Sequence, residues 1–245
     1  MKKLLAICAI VALVFSVRAQ TEDSVDVRAV VILDRMSDII GDMRSCSFQL
    51  NTGVDRMDPQ VGVVKEYFKH NVFLVGPDKM HIQTHGPKDQ HGYWYNGDLL
   101  MYYSLTFNHY GFIETPDNIV ETIEMVNRDF GVDFPAADFF YPSFTDDLLE
   151  HSDRVDYLGL VLVDGVHCHH IIANGSGKHI QLWISNDTFT LPVRYSISEE
   201  STGCEIRYEG IFSDWKINPE LPDAIFDFVV PESARKLNIA SKNIK

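Results

Sequence analysis

Two series of short β-like runs, interrupted once by helical signals, constrain this chain more than any other feature. The first series covers residues 46–55, 61–75, 79–85, 92–96, 98–104 and 108–114, and the second covers 154–163, 166–173, 178–185, 190–199 and 204–214. Gly76-Pro77, Gly86-Pro87 and Asn96-Gly97 punctuate the first series as turns, and Asp164-Gly165, Asn174-Gly175 and Asn186-Asp187 do the same in the second. Alternation is cleanest over 79–85, where Met80 and Ile82 oppose Lys79, His81, Gln83 and His85. The pattern predicts a mainly β, α+β protein of about 11 strands: one antiparallel sheet, curved over its helices, in a single domain from residue 20 to 245.

The helical signals are local. Ala29, Leu33, Met36, Ile40 and Met43 recur four, three, four and three apart, which predicts an amphipathic helix over about 27–44. Thr115 followed by Pro116 reads as a cap and first helical residue. Ile119, Ile123, Val126 and Phe130 then continue a helix over 116–129, closed by Gly131. Ser143 with Asp146 starts another helix, so the insert between the two series spans about 116–150.

Residues 1–19 combine Lys2 and Lys3 with an apolar run and end in Val17-Arg18-Ala19, the pattern of a secretory signal peptide cleaved near Ala19-Gln20. Cys8 lies inside the apolar run behind Ile7 and does not read as a lipid-attachment site. No later segment is long and apolar enough for a membrane-spanning helix, and a periplasmic or secreted protein is expected. The chain carries a formal charge of −14, and cleavage would remove three cations and no acid, which argues against nucleic acid as a partner. Cys46, Cys168 and Cys204 would remain, enough for at most one internal disulfide.

Signatures of catalysis are missing: there is no G-x-S-x-G, no H-E-x-x-H and no EF-hand loop, and neither an enzyme nor a cofactor is expected. Gly175-Ser176-Gly177-Lys178 imitates the end of a P-loop but lacks the upstream glycine and the helix, and reads as a hairpin turn. The string His167, Cys168, His169, His170 concentrates metal ligands, but strand alternation sends His167 and His169 to one face and Cys168 and His170 to the other. If Ile180, Leu182 and Ile184 stack beside Val166, Cys168 and Ile172, His179 pairs near Ala173, roughly 13 Å from His169 and too far to share one ion. His167 and His169 are therefore the pair to test for metal, against the plainer reading of strand residues with hydrogen-bonded imidazoles.

Aromatic residues concentrate at Tyr93-Trp94-Tyr95, Tyr102-Tyr103, Phe107, Tyr110 and Phe112, and again at Phe139-Phe140-Tyr141. They either fill the space between sheet and helices or line an apolar cavity between them.

Six segments carry a resemblance: 32–48 (ILDRMSDIIGDMRSCSF), 115–141, 164–171 (DGVHCHHI), 180–184 (IQLWI), 191–197 (LPVRYSI) and 212–237. In this order they resemble a family of predicted periplasmic bacterial proteins, similar in turn to periplasmic lipoprotein carriers of the LolA type. The resemblance implies an unclosed antiparallel half-barrel with helices packed in its mouth, and it places Phe139 and Phe140 in the helical plug. Cys168 belongs to the family pattern, whereas Cys46 and Cys204 do not, which suggests that these two pair in a disulfide. The expected function is non-enzymatic binding of a hydrophobic ligand (lipid, acyl chain or lipoprotein) in the concave face, with Met80, Ile82, Trp94, Phe139, Phe140 and Leu182 as candidate contacts. The alternatives are a metal or enzymatic module on His167 and His169, or an envelope assembly factor that binds protein through exposed sheet edges.

Overall fold

A computed structural model describes residues 24–201 and 204–242; residues 1–19, expected to be a signal peptide, lie outside the described residues. Helix α1 (Val27–Gly41) opens on Asp26, whose carboxylate accepts the Arg28 backbone N–H at 2.9 Å. It buries Ala29, Leu33, Met36 and Ile40, the stripe set by the sequence spacing. Six strands follow: β1 (Ser45–Asp58), β2 (Gly62–Val75), β3 (Lys79–His85), β4 (Gln90–Tyr95), β5 (Leu99–Ser104) and β6 (His109–Glu114). The insert contains α2 (Ile119–Phe130), a 3-10 turn (Ala137–Phe140) and α3 (Phe144–Glu150). Five long strands then run as β7 (Arg154–Val163), β8 (Val166–Gly175), β9 (Lys178–Ser185), β10 (Pro192–Ser201) and β11 (Cys204–Ile217), and a short β12 (Arg235–Lys236) closes the series.

All of them join one sheet in the order β12-β6-β5-β4-β3-β2-β1-β11-β10-β9-β8-β7. Each series is a meander, and antiparallel pairing of β1 with β11 fuses the two. The sheet is not closed: β7 forms one edge, and β12 covers the other by pairing parallel to β6. That two-residue strand raises the expected eleven to twelve. The topology also explains the helices in the mouth. The insert must carry the chain from β6 near one edge to β7 at the other, and it does so across the concave face.

Two helix boundaries differ from expectation. The first insert helix starts at Ile119, with Asn118 as its cap accepting the Glu121 N–H, while the Pro116 carbonyl accepts the Tyr95 hydroxyl at 2.7 Å. Helix α1 ends at Gly41, three residues early.

After β11 the chain crosses the convex face of the N-terminal strands. Phe226 is fully buried there, and Phe228 packs on Trp94 and Tyr103 with ring centroids 4.5 and 5.0 Å apart. Leu237 and Ile239 then fold round the β6 edge toward α2, where the Lys242 N–H reaches the Asp129 carbonyl at 2.8 Å.

Candidate functional site

The concave face is built from alternate residues of adjacent strands. Pairing registers align Leu50 with His70 and His70 with Thr84, Phe48 with Val72 and Val72 with Ile82, and Tyr195 with Gly210 and Leu182. Because paired residues share a face, these rows all point at the insert. Between them and the helices lies a cavity of about 800 Å³, walled by Val54, Phe68, Ile82, Tyr93, Ile197 and Tyr208 from the sheet and by Ile123, Phe134 and Tyr141 from the insert.

Two smaller cavities adjoin it. One, of about 260 Å³, shares Ala136, Asp138, Tyr141, Ile197 and Tyr208 with the main cavity and continues between Phe139, Phe144, Leu148, Ile180 and Leu182. The other, of about 370 Å³, shares His91 and Tyr93 and is closed by Leu100, Val126, Phe130, Leu237 and Ile239. The main cavity, with its mixed polar and apolar lining, thus shares walls with two more apolar arms.

The polar groups of the middle are specific. The His70 ring lies between two threonines, with Nε2 3.0 Å from Thr52 Oγ1 and Nδ1 2.9 Å from Thr84 Oγ1, and all three residues are at least 95% buried. Burial pushes the His70 imidazole down to about 4, with smaller contributions from His91 and His85, so at neutral pH it is uncharged. Glu124, Asp133 and Asp138 stand on the insert side. Desolvation raises the Asp138 carboxyl, Asp133 and Asp147 add to the rise, and Lys178 opposes it. Desolvation also pushes the Tyr141 phenol up to about 12, with Glu124 and Asp138 adding to it.

The structure distributes the expected contact residues unevenly. Ile82 lines the main cavity, and Phe139 and Leu182 line the smaller arm. Met80 is buried in the core at 1% exposure, and Phe140 stacks on Phe48 at 5.7 Å. Trp94 must be corrected: it pairs with His81, and the alternation of β4 turns it to the convex face, stacked on His81 at 4.7 Å under the C-terminal segment. Its neighbour Tyr93 takes the concave place. Sequence reasoning does not single out Thr52, His70 or Thr84. The run 79–85 does place Thr84 beside Ile82 in phase, but which residues of β1 and β2 oppose it depends on register.

The His-Cys-His-His string also needs correction. Ile180, Leu182 and Ile184 pair with Ala173, Ile171 and His169, so the core face of β9 stacks on the His169 side of β8 and not on the Cys168 side. His169 therefore faces the helices, where Nδ1 hydrogen-bonds Tyr157 Oη at 3.0 Å. His167 is exposed opposite Leu162, and His179 pairs with Asn174. Among the described residues no three His, Cys, Asp or Glu side chains are placed to hold a metal ion. Cys168 is fully buried, its thiol donating to the Val166 carbonyl at 3.5 Å, and burial pushes it up to about 11, helped by Asp187 and Asp164.

The expected Cys46–Cys204 disulfide does not form. Cys46 pairs with Ile217 and Cys204 begins β11 thirteen positions away, roughly 40 Å along the strand. Cys46 is a free, buried thiol.

Comparison with solved structures finds one that shares the fold and others that are similar. An uncharacterized conserved protein from Thermus thermophilus superposes with a TM-score of 0.50 at 11% identity, over 86% of this chain and 98% of that one. The lipoprotein LppX of Mycobacterium tuberculosis gives 0.49 at 13% identity over 80% and 98%, and a LolA superfamily protein from Nitrosomonas europaea gives 0.36 at 14% over 81% and 96%. No curated protein matches the sequence. Among the described residues no helix is long and apolar enough to cross a membrane. A family model described as "predicted periplasmic protein (DUF2092)" matches residues 29–240, and the chain belongs to that family.

Proposed function

We propose that this protein is a non-enzymatic periplasmic binder of a hydrophobic ligand, held between the concave face of the sheet and the helical insert. The observation that carries this reading is the main cavity of about 800 Å³ with its two apolar arms, in a chain whose core is otherwise packed with aliphatic and aromatic side chains. Ile82, Tyr93, Phe134 and Ile197 give this space apolar wall, against which an acyl or polyprenyl chain gains roughly 0.8 kcal/mol per buried methylene. Such binding asks for no catalytic constellation. Lipoproteins of the same fold are compatible with it but do not carry it.

Displacement of an apolar fluorophore by long-chain compounds tests the reading, together with a Leu182→Asp and Ile82→Asp pair that puts charge into the cavity walls. Saturable binding lost in the charged variants supports it; absence of any binding by the folded wild type removes it.

A second reading has one observation in its favour. Beyond the bridge from Val25 to Val155, the β7 edge leaves Leu158, Leu160 and Leu162 more than half exposed. A partner polypeptide adding a strand there would be trapped by a photocrosslinker at Leu160 in intact cells, and an unmodified band would count against it.

A further inference from the structure

The proposed binding reading leaves the ligand's polar group open, and the following inference rests on that reading. We infer that the Thr52–His70–Thr84 relay on the cavity floor is a binding site for an uncharged, hydroxyl-bearing group, so that the ligand is a neutral amphiphile bound head-down with its chain in the apolar arms.

A neutral imidazole carries one N–H and one bare nitrogen, and each threonine carries one O–H. With His70 between the hydroxyls at 3.0 and 2.9 Å, one threonine donates to the bare nitrogen and the ring N–H is accepted by the other. Two of the three hydrogens are consumed inside the relay. One hydroxyl hydrogen and threonine oxygen lone pairs remain for whatever occupies the cavity that these residues line.

A hydroxyl group, donor and acceptor at once, complements that arrangement. A carboxylate or phosphate offers acceptors only, meets a single donor, and turns its second oxygen toward lone pairs. The surroundings point the same way. Glu124, Asp133 and Asp138 stand across the cavity, and the guanidinium of Arg56 at the mouth is held by Glu66 at 2.8 Å. Lys178 lies in the adjoining arm beside Asp138 and Asp147, which outnumber it. Among the described residues an anionic head therefore finds no cation near the floor without an acidic neighbour, whereas a neutral hydroxyl exchanges its water hydrogen bonds for those of the relay. The apolar arms, reached past Tyr208 on one side and Tyr93 on the other, receive the chain.

Competition against an apolar fluorophore at pH 8 by dodecane, 1-dodecanol and dodecanoate reads this directly. In the triple variant Thr52→Val, His70→Leu, Thr84→Val the polar relay becomes apolar at similar volume, and the affinity for dodecanol relative to dodecane should fall by roughly tenfold while dodecane itself is unaffected. In the wild type dodecanoate should compete more weakly than dodecanol. An unchanged dodecanol-to-dodecane ratio, with dodecane still competing, overturns the head-down site and leaves the binding reading intact. Failure of all three compounds removes both. Wild-type crystals soaked with 12-bromododecanol give a readout that needs no variant: bromine in one of the arms supports the inference, and bromine beside His70 contradicts it.

Discussion

Tyr195 lies flat against the α-carbon of Gly210, its partner across β10 and β11, and a β-carbon at position 210 would collide with the edge of the ring and its hydroxyl. The glycine makes room for a fully buried aromatic that also touches Phe139, Phe212 and Tyr208. Gly210→Ala should therefore cost about 1–3 kcal/mol through overpacking, read as a lower denaturant midpoint with an unchanged slope. A neutral outcome would mean that the ring moves aside at no cost.

The Tyr195 hydroxyl is buried with no hydrogen bond of good geometry, and the Tyr208 hydroxyl is the polar group it interacts with. An unpaired buried hydroxyl costs about 1–3 kcal/mol, so Tyr195→Phe should leave stability unchanged or raise it. A loss above about 1 kcal/mol in equilibrium unfolding would show that the hydroxyl has a partner after all.

Two histidines should make stability depend on pH. Burial pushes His70 and His81 down to about 4, the latter with a smaller opposing effect from the Ile225 backbone. Between about pH 6.5 and 4 the unfolded chain binds protons at these positions and the folded chain does not, so stability is lost as pH falls through that window, by up to roughly 3 kcal/mol per residue. Urea midpoints measured from about pH 7.5 to 4.5 should show the decline, and His81→Phe should make it shallower. An equal decline in that variant would assign the loss to other groups.

Burial pushes the Cys46 thiol up to about 12 and Cys168 to about 11, and neither forms a disulfide. Both should resist a water-soluble alkylating reagent at about pH 8 in the folded protein and react completely in denaturant without reductant. Mass spectrometry that finds Cys46 unmodified under those conditions would restore a disulfide.

Most of the strand pattern is legible in the sequence because turn dipeptides and alternation are local. The runs 79–85 and 178–185, for example, match β3 and β9 at both ends. Strand β12 is not, since Arg235 and Lys236 show no alternation and pair only because the chain wraps round the β6 edge. Site residues follow the same division. Ile82, Phe139 and Leu182 are found from a face or from the insert, whereas Trp94 falls on the wrong side because a run of three aromatics hides the parity that Tyr93 and Tyr95 share. His70 escapes sequence reasoning because its role comes from Thr52 and Thr84 on neighbouring strands, which only register brings together. The pairing of Ile180, Leu182 and Ile184 is misread for the same reason, since a slip of one residue exchanges the faces of a strand.

The central claim, that the concave cavity holds an apolar ligand, is tested most directly by native mass spectrometry of the protein purified from the periplasm without detergent. The account predicts a bound species that organic solvent extracts, with loss of that species in the Ile82→Asp, Leu182→Asp variant. Protein that is folded, consistently empty and unable to take up an apolar fluorophore would contradict it.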